Sequence, residues 1–216
     1  MTTPRPEIDP QATATTRARY DRVARIYDRM EGLMEWRSFR KWRSLVWEIV
    51  GSEAEKILEV GVGTGKNLPY YPHEVQVTAI DLSGQMLARA RQRAAQLDLN
   101  IELLHMDAQA LAFADESFDV VVSTFVFCSV PNPLLGLLEI KRVLRPDGRA
   151  VLLEHMRPRS PWLGKLFDLL NPLTMRLSGA NINRRTLENI GKAGLEIESI
   201  KDLSLQGIVK LIIVRR

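Results

Sequence analysis

Three glycines at alternate positions, Gly61, Gly63 and Gly65, follow the apolar run from Ile57 to Val60, and they are the first residues whose type and spacing could do chemistry. Glycine adopts positive φ at little cost and lets backbone amides approach a ligand where a Cβ would intervene. A strand that stops at such a loop, with a helix to follow, is how α/β proteins build a nucleotide site at the carboxyl edge of a sheet. Asp81, in Ala79-Ile80-Asp81-Leu82-Ser83, and Asp107, in Met106-Asp107-Ala108, close the next two apolar runs. Either aspartate alone reads as a helix or turn cap. Both, at the ends of successive strands after a glycine loop, point to one ligand site.

Metal and covalent chemistry find no comparable support. His73, His105 and His155 show no ligand spacing, and Cys128 is the single cysteine, so no metal site and no internal disulfide framework is expected. Cys128 reads as a small core residue. A chain of 216 residues, 45% hydrophobic and 26% charged, suits one globular domain with an appended arm. The start, Met1-Thr2-Thr3-Pro4-Arg5-Pro6, lacks the apolar core of a signal peptide, and no apolar run is long enough to span a bilayer. The expectation is a cytoplasmic protein able to lie on a membrane surface. Charge is unevenly placed. Residues 17–43 hold nine basic residues (Arg17, Arg19, Arg22, Arg25, Arg29, Arg37, Arg40, Lys41, Arg43) against Asp21, Asp28, Glu31 and Glu35. That is a net +5 within a chain whose formal net charge is +4.

The elements that must position these groups alternate between strand and helix. Residues 1–12, with three prolines, read as a disordered lead-in, and 13–50 as a basic helical arm broken near Gly32. Val23, Ile26, Tyr27, Met30 and Leu33 mark its first apolar stripe. Trp36, Phe39, Trp42, Leu45, Val46 and Ile49 mark the second, with arginines and Lys41 covering the remaining surface. The arm reads either as a lid on the core or as an amphipathic helix in a membrane interface. The rest, 51–216, forms the main domain. Strands are expected at 57–60, 75–80, 101–106, 118–124 and 150–153, the last ending at Glu154 and His155. A short helix after the glycine loop is cut by Pro72. Helix 82–97 is capped by Ser83 and carries an exposed basic face of Arg89, Arg91 and Arg93. Helix 134–144 stops at the turn signal Pro146-Asp147-Gly148. An apolar helical insertion, 161–178, is interrupted by Pro172, and a further helix spans 184–193. Residues 195–203 and 207–214 read as two consecutive strands, which must pair antiparallel. The fold class is therefore α/β: a Rossmann-like, doubly wound, mostly parallel seven-stranded sheet ending in an antiparallel hairpin, with an N-terminal helical arm.

With these residues in place the chain resembles the class I S-adenosylmethionine-dependent methyltransferases over about residues 15–216. The loop has the Glu-x-Gly-x-Gly-x-Gly form at Glu59, Gly61, Gly63 and Gly65. A nicotinamide-binding loop more often has Gly-x-Gly-x-x-Gly, and here the third position after Gly63 is Lys66. The resemblance implies that Asp81 accepts hydrogen bonds from both ribose hydroxyls and that Asp107 takes the adenine amino proton. It implies that Leu82 and Met86 pack on the adenine. Thr64, Asn67, Ala108, Thr124, Phe125 and Cys128 complete the donor site. The metal-free mechanism implied is direct displacement from a sulfonium, with the protein aligning the acceptor and excluding water. The product would be S-adenosylhomocysteine.

Within the family, Tyr20-Asp21-Arg22-Val23-Ala24-Arg25-Ile26-Tyr27-Asp28 and Phe127-Cys128-Ser129-Val130-Pro131-Asn132-Pro133 resemble bacterial phospholipid N-methyltransferases related to the ubiquinone and menaquinone C-methyltransferases. Glu139-Ile140-Lys141-Arg142-Val143-Leu144-Arg145-Pro146-Asp147-Gly148-Arg149 extends the likeness, and these last two segments are also similar to membrane-associated thiol methyltransferases. The acceptor implied is the amine of phosphatidylethanolamine, methylated stepwise towards phosphatidylcholine at an anionic membrane surface. Quinone, thiol or small soluble acceptors are the alternatives, and outside enzymes, a peripheral membrane protein keeping S-adenosylmethionine as a structural ligand. An amine must lose a proton before it attacks. Tyr27, Tyr20 and His155 are the candidates to receive or relay it, Tyr27 foremost because Ile26-Tyr27-Asp28 resembles a Tyr-Asp of the quinone branch. Nucleic acid is not expected as a partner, because aromatics interleave the basic helices. No signal speaks to oligomeric state.

Overall fold

The computed structural model describes residues 6–34, 38–51, 54–177 and 179–216. Residues 1–5 of the expected lead-in, Trp36 and Ser178 lie outside the described residues, as do the side chains of Met30 and Leu33. Seven strands form one sheet: β1 (Lys56–Val60), β2 (Gln76–Asp81), β3 (Glu102–His105), β4 (Phe118–Thr124), β5 (Leu144–His155), β6 (Glu196–Asp202) and β7 (Val209–Arg215), in the order β3-β2-β1-β4-β5-β7-β6. The pairs β1–β2, β2–β3, β1–β4 and β4–β5 are parallel, whereas β7 runs against both β5 and β6. The helices are α1 (Pro10–Met34), α2 (Arg40–Val50), α3 (Gly84–Gln96), α4 (Pro133–Val143), α5 (Pro161–Leu177) and α6 (Thr186–Lys192).

The central strands are mostly apolar at their buried positions because helices cover both faces, with Glu59, Ser123, Thr124 and Glu154 as buried polar residues near their carboxyl ends. Leu58, Val60, Ile80, Val121 and Leu152 pack with Leu137 and Ile140 of α4 and Ile190 of α6. Their strand neighbours Ile57, Val77, Ala79, Val120 and Val122 pack on the other side with Val46, Trp47 and Val50 of α2 and Leu87 and Ala90 of α3. Each such side chain taken out of water contributes roughly 2 kcal/mol before the entropy of ordering it is counted. Strand order reverses between β1 and β4. The crevice outside their carboxyl ends is where a ligand can reach backbone groups in a doubly wound sheet.

Several local expectations are corrected. Residues 10–12 are helix, not lead-in: the Asp9 carboxylate accepts from the amides of Gln11 (2.9 Å) and Ala12 (3.0 Å), and Pro10 starts α1 where its missing N–H costs nothing. After the glycine loop there is a single 3₁₀ turn, Leu68–Tyr70, in place of a helix. Pro146-Asp147-Gly148 does not interrupt the chain between helix and strand. α4 runs straight into β5, and the turn signal falls where pairing with β4 slips, Phe118 facing Leu144 and Val120 facing Arg149. The expected basic face of α3 is partly covered. Arg93 donates to Asp28 (2.9 Å) and Arg89 to the Arg25 carbonyl (3.3 Å), because α1 lies across α3. The Ser83 cap is present, its hydroxyl accepting from the Met86 amide at 3.1 Å.

On α2 the stripe is rotated from the expected one. The buried positions are Arg43, Val46, Trp47 and Val50, and Trp42, Leu45 and Ile49 lie at its margin. Arg43 is 6% exposed and belongs to the interior instead of the surface.

Candidate active site

The glycine loop is held at its base by main-chain bonds, the amides of Gly61 and Val62 both donating to the Ile80 carbonyl at 2.9 Å. Two of its glycines are there for different reasons. At Gly61 (φ +74°) a Cβ would stand 2.3 Å from a methyl of Val126. At Gly63 (φ +57°) the space over the backbone is open, with no atom within 4 Å of where a Cβ would be. Gly61 permits close packing, and Gly63 offers bare backbone to a ligand.

That backbone faces a cavity of about 870 Å³, counting its open mouth. Its wall includes Gly61, Val62, Gly63 and Thr64 of the loop, with Lys66 beyond it. The strand ends add Ile80, Asp81, Leu82, Met106, Asp107, Ala108, Thr124, Phe125 and Val126, and α3 adds Met86. Ser129, Val130 and Pro131 close one side, Thr16, Tyr20 and Tyr27 of α1 lie across the opening, and Arg43 reaches in from α2. Its mostly apolar wall, with a few polar groups converging on it, suits a nucleoside-type ligand.

The two carboxylates are fixed. Asp81 accepts from the Gly63 amide with one oxygen and from the Ser83 amide with the other, both at 2.8 Å, and burial raises its pKa against those two bonds. Each oxygen retains a lone pair for a further donor. Asp107 is gripped by Gln109, whose amide nitrogens approach it at 2.9–3.2 Å. Gln109 also donates to Thr13 of α1 (3.1 Å) and accepts from the Asn132 amide (3.0 Å).

α1 is clamped over this cavity by its acids. Asp21 accepts from the Ser83 hydroxyl (2.6 Å) and the Gln85 amide (3.1 Å), and Asp28 from the Thr64 hydroxyl (2.6 Å) and Arg93. The Tyr20 hydroxyl is hydrogen-bonded to Ser129, and the Tyr20 and Tyr27 rings lie 6.5 Å apart. The Lys66 ammonium stands 5.9 Å from the centre of the Tyr27 ring.

The expected site residues therefore divide. Gly61, Gly63, Thr64, Asp81, Leu82, Met86, Asp107, Ala108, Thr124, Phe125, Tyr20 and Tyr27 all line the cavity. Glu59, Gly65, Asn67, Cys128 and His155 lie outside the residues that wall it. Glu59 and Asn67 lie beneath it. Asn67 donates to Glu59 (2.6 Å) and Thr124 (3.0 Å), Tyr71 donates to Glu59, and Arg43 donates to Asn67 (3.0 Å) and Thr124 (3.1 Å). Burial pushes the Glu59 carboxyl up to about 7 even with these partners. Gly65 packs on Leu68, which a Cβ there would overlap. The Cys128 thiol is buried and donates to the Phe125 carbonyl, and burial and nearby Glu154 raise its pKa to about 12, so it stays protonated and core-like. His155 stacks on Phe167 of α5 and is depressed in pKa by burial.

Four groups escaped the sequence reading: Arg43, Lys66, Gln109 and Glu154. Arg43 alone had a legible signal, its i, i+3, i+4, i+7 register with Val46, Trp47 and Val50. Glu154, fully buried at the end of β5, accepts from Ser123 (3.0 Å) and from the amides of Val126 (3.1 Å) and Phe127 (3.2 Å) with one oxygen. Among the described residues its other oxygen has no hydrogen-bond partner, and burial raises the carboxyl to about 7. It holds the turn that carries Phe125, whose φ of +59° is strained for a residue with a side chain. The Phe125 ring is stacked on Phe39 at 4.6 Å.

Comparison with known proteins agrees with this arrangement. A methyltransferase-domain family matches residues 58–152. A Cereibacter sphaeroides protein named phosphatidylethanolamine N-methyltransferase is 45% identical over 115 residues, 52% of this chain and 57% of that one. Staphylococcus aureus demethylmenaquinone methyltransferase is 32% identical over 165 residues, 74% of this chain and 68% of that one. A Thermotoga maritima S-adenosylmethionine-dependent methyltransferase has the same fold, with a TM-score of 0.69 over 92% of this chain and 98% of the other, at 20% identity. The chain belongs to the S-adenosylmethionine-dependent methyltransferases, and S-adenosylmethionine is its methyl donor. The cavity fits that molecule: bare backbone at Gly63, a carboxylate at the end of β2, a second at the end of β3, and Leu82 and Met86 between them. Among the described residues no group of three or more His, Cys, Asp or Glu could hold a metal ion.

Replacing Asp81 with alanine is expected to weaken S-adenosylhomocysteine binding by calorimetry a hundredfold or more, about 3 kcal/mol for two lost charged hydrogen bonds. Retained affinity would remove the ribose assignment. Glu154 makes a second, pH-dependent prediction. A carboxyl raised from 4.5 to about 7 on folding is ionised in the unfolded chain and protonated in the folded one across that window. Folding stability therefore falls as pH rises through it, by on the order of 3 kcal/mol. Glu154→Gln should gain stability relative to the parent between pH 4.5 and 7 in thermal melts, and parallel profiles would contradict it.

Proposed function

We propose that the protein transfers methyl groups to the amine of phosphatidylethanolamine and its mono- and dimethyl forms, at a membrane surface, yielding phosphatidylcholine. What carries this reading is the 45% identity over 115 residues to the Cereibacter sphaeroides enzyme of that name. The chain spans 57% of that relative's length, so its acceptor is taken over as a proposal. Demethylmenaquinone methylation is the second reading, favoured by the longer match of 165 residues.

S-adenosylmethionine supplies a methyl group on a positively charged sulfur. In the proposed complex Asp81 takes the ribose diol, Asp107 the adenine amino group, and Leu82, Met86 and Ala108 pack against the base. Gly61, Gly63 and Thr64 meet the amino-acid end, with Thr124 and Phe125 beside it. Tyr27 and Tyr20, the latter held by Ser129, line the cavity. The Tyr27 hydroxyl is proposed to relay to solvent the proton that an ammonium must lose before the amine attacks the methyl carbon and the sulfur leaves as S-adenosylhomocysteine. The aromatic rings favour the alkylammonium that forms, by about 0.5–2 kcal/mol. His155 stacks on Phe167 outside the cavity wall, so Tyr27 is preferred to it in this reading.

Attachment to an anionic surface is proposed through the outer side of α1. Its acids Asp21 and Asp28 are used inward, while Arg17, Arg22, Arg25 and Arg29 are exposed. Each exposed arginine near such a surface contributes about 1 kcal/mol. Incubation with labelled S-adenosylmethionine and vesicles containing phosphatidylethanolamine, with and without a demethylated quinone, tests the acceptor. Label in mono-, di- and trimethylated phospholipid is expected. Label confined to the quinone, or absent from both, would overturn it.

A further inference from the structure

α5 carries apolar side chains on its solvent side as well as against the body. At 100° per residue Trp162, Leu166, Leu169, Leu170 and Leu173 share one side. That side points outward: Trp162 is 74% exposed, Leu169 76%, Leu173 55% and Leu170 40%. The helix is fastened to the body by polar bonds at its flank as well as by Phe167, which stacks on His155. Asp168 is ion-paired with Arg157 at 2.8 Å and accepts from Asn183 at 3.1 Å. Asn171 donates to Asn181 (3.1 Å) and accepts from the Ile182 amide (2.9 Å). At buried Gly164 a Cβ would stand 2.3 Å from the Arg157 guanidinium. These bonds fix the helix's rotation, so its apolar face is held outward by specific polar contacts. A second apolar point accompanies it. Leu205 is 89% exposed on the β6–β7 turn, and that turn is tied to the segment entering α5 by the Arg159 amide bonded to the Gln206 carbonyl at 3.0 Å.

We propose that this outward face of α5, with Leu205 beside its start, enters a phospholipid monolayer and sets the cavity against it. This rests on the reading of a lipid acceptor, though not on which lipid is methylated. Charge selects the occupant. Lys165 and Arg176, eleven residues apart and so about 20° apart around the helix, are exposed along one margin of the apolar face, and the helix's single acid is spent on Arg157. Cations on long stems beside an apolar face, with a tryptophan at one end, match lipid phosphates over acyl chains. A second copy of the chain would bring the same two cations and no free carboxylate from this helix. The face is also coupled to the active site. Asn181, held by Asn171 of α5, bonds the Cys128 carbonyl through both its amide (2.9 Å) and its side chain (3.2 Å), next to Ser129 in the cavity wall. A headgroup at the level of α5 is thereby placed near the opening.

The test compares the full chain with a Trp162→Ser, Leu169→Ser, Leu173→Ser variant. The probes are vesicles of phosphatidylethanolamine and phosphatidylglycerol, some carrying lipids brominated in the acyl chain. Vesicle affinity by flotation is expected to fall at least tenfold in the variant. S-adenosylhomocysteine affinity, which reads the fold and the cavity, is expected to stay unchanged. Quenching by brominated lipid should disappear in Trp162→Phe, although three other tryptophans remain. Equal vesicle binding by parent and variant would overturn the proposal. So would a parent that is dimeric by light scattering, does not bind vesicles, and becomes monomeric in the variant. Vesicle binding is scored without turnover, so a failed phosphatidylethanolamine assay leaves this result readable on its own.

Discussion

One buried polar network holds the catalytic end of the sheet together. Glu59 at the end of β1, Asn67 after the glycine loop, Thr124 at the end of β4, Tyr71 beyond the 3₁₀ turn and Arg43 from α2 bond one another under the cavity floor. A carboxylate and a guanidinium withdrawn from water are tolerable only when each is surrounded by partners, and removing one partner of such a set costs about 3–5 kcal/mol. The loop between them is therefore confined, and its glycines can present bare backbone without sagging. Trp47 and Tyr71, 4.4 Å apart, seal the network from the α2 side. Of the two ligand-facing carboxylates, Asp81 depends on this floor, since it is bonded to Gly63 and so moves with the loop.

The roof is built on segregated charge. Along α1 Asp21 and Asp28 face inward, onto Ser83, Gln85, Thr64 and Arg93, while Arg17, Arg22, Arg25 and Arg29 face solvent. Tyr20 and Tyr27 ride on the same helix, so the groups proposed to manage the acceptor's proton are delivered by the element that closes the opening. A nucleoside beneath that helix is shielded from water on the side where methyl transfer would occur, which strengthens every electrostatic contact inside. α1 meets the body largely through polar and charged contacts, an arrangement that opens at lower cost than an apolar seam.

Legibility in the sequence followed the range of the interaction. The glycine loop, the Ser83 cap, Asp81 and Asp107 at strand ends and the closing β6–β7 hairpin are local patterns, and all were readable. The start of α1 was also local, in Asp9-Pro10, yet the prolines around it suggested disorder instead. Arg43 was masked by its charge, which assigned it to the surface although its spacing placed it with Val46, Trp47 and Val50. Glu154 acts on partners more than twenty residues away, and Gln109 ties its neighbour Asp107 to Thr13 and Asn132, both distant in sequence, so neither has a spacing to betray it. His155 and Cys128 were placed by neighbourhood in sequence. The structure turns His155, at the end of β5, onto Phe167, and buries the Cys128 thiol in the turn after β4, where it donates to the Phe125 carbonyl.

The central claim is that the glycine loop, the two aspartates and α1 enclose a single nucleoside site, and amide hydrogen exchange with and without S-adenosylhomocysteine reads all of its walls together. Protection is expected to rise at residues 61–65, 81–86 and 107–109, and along α1 from Thr13 to Asp28, at the same ligand concentration. Protection of the loop with α1 unaffected would show that α1 is not the roof. Protection elsewhere, with the loop unchanged, would contradict the site itself.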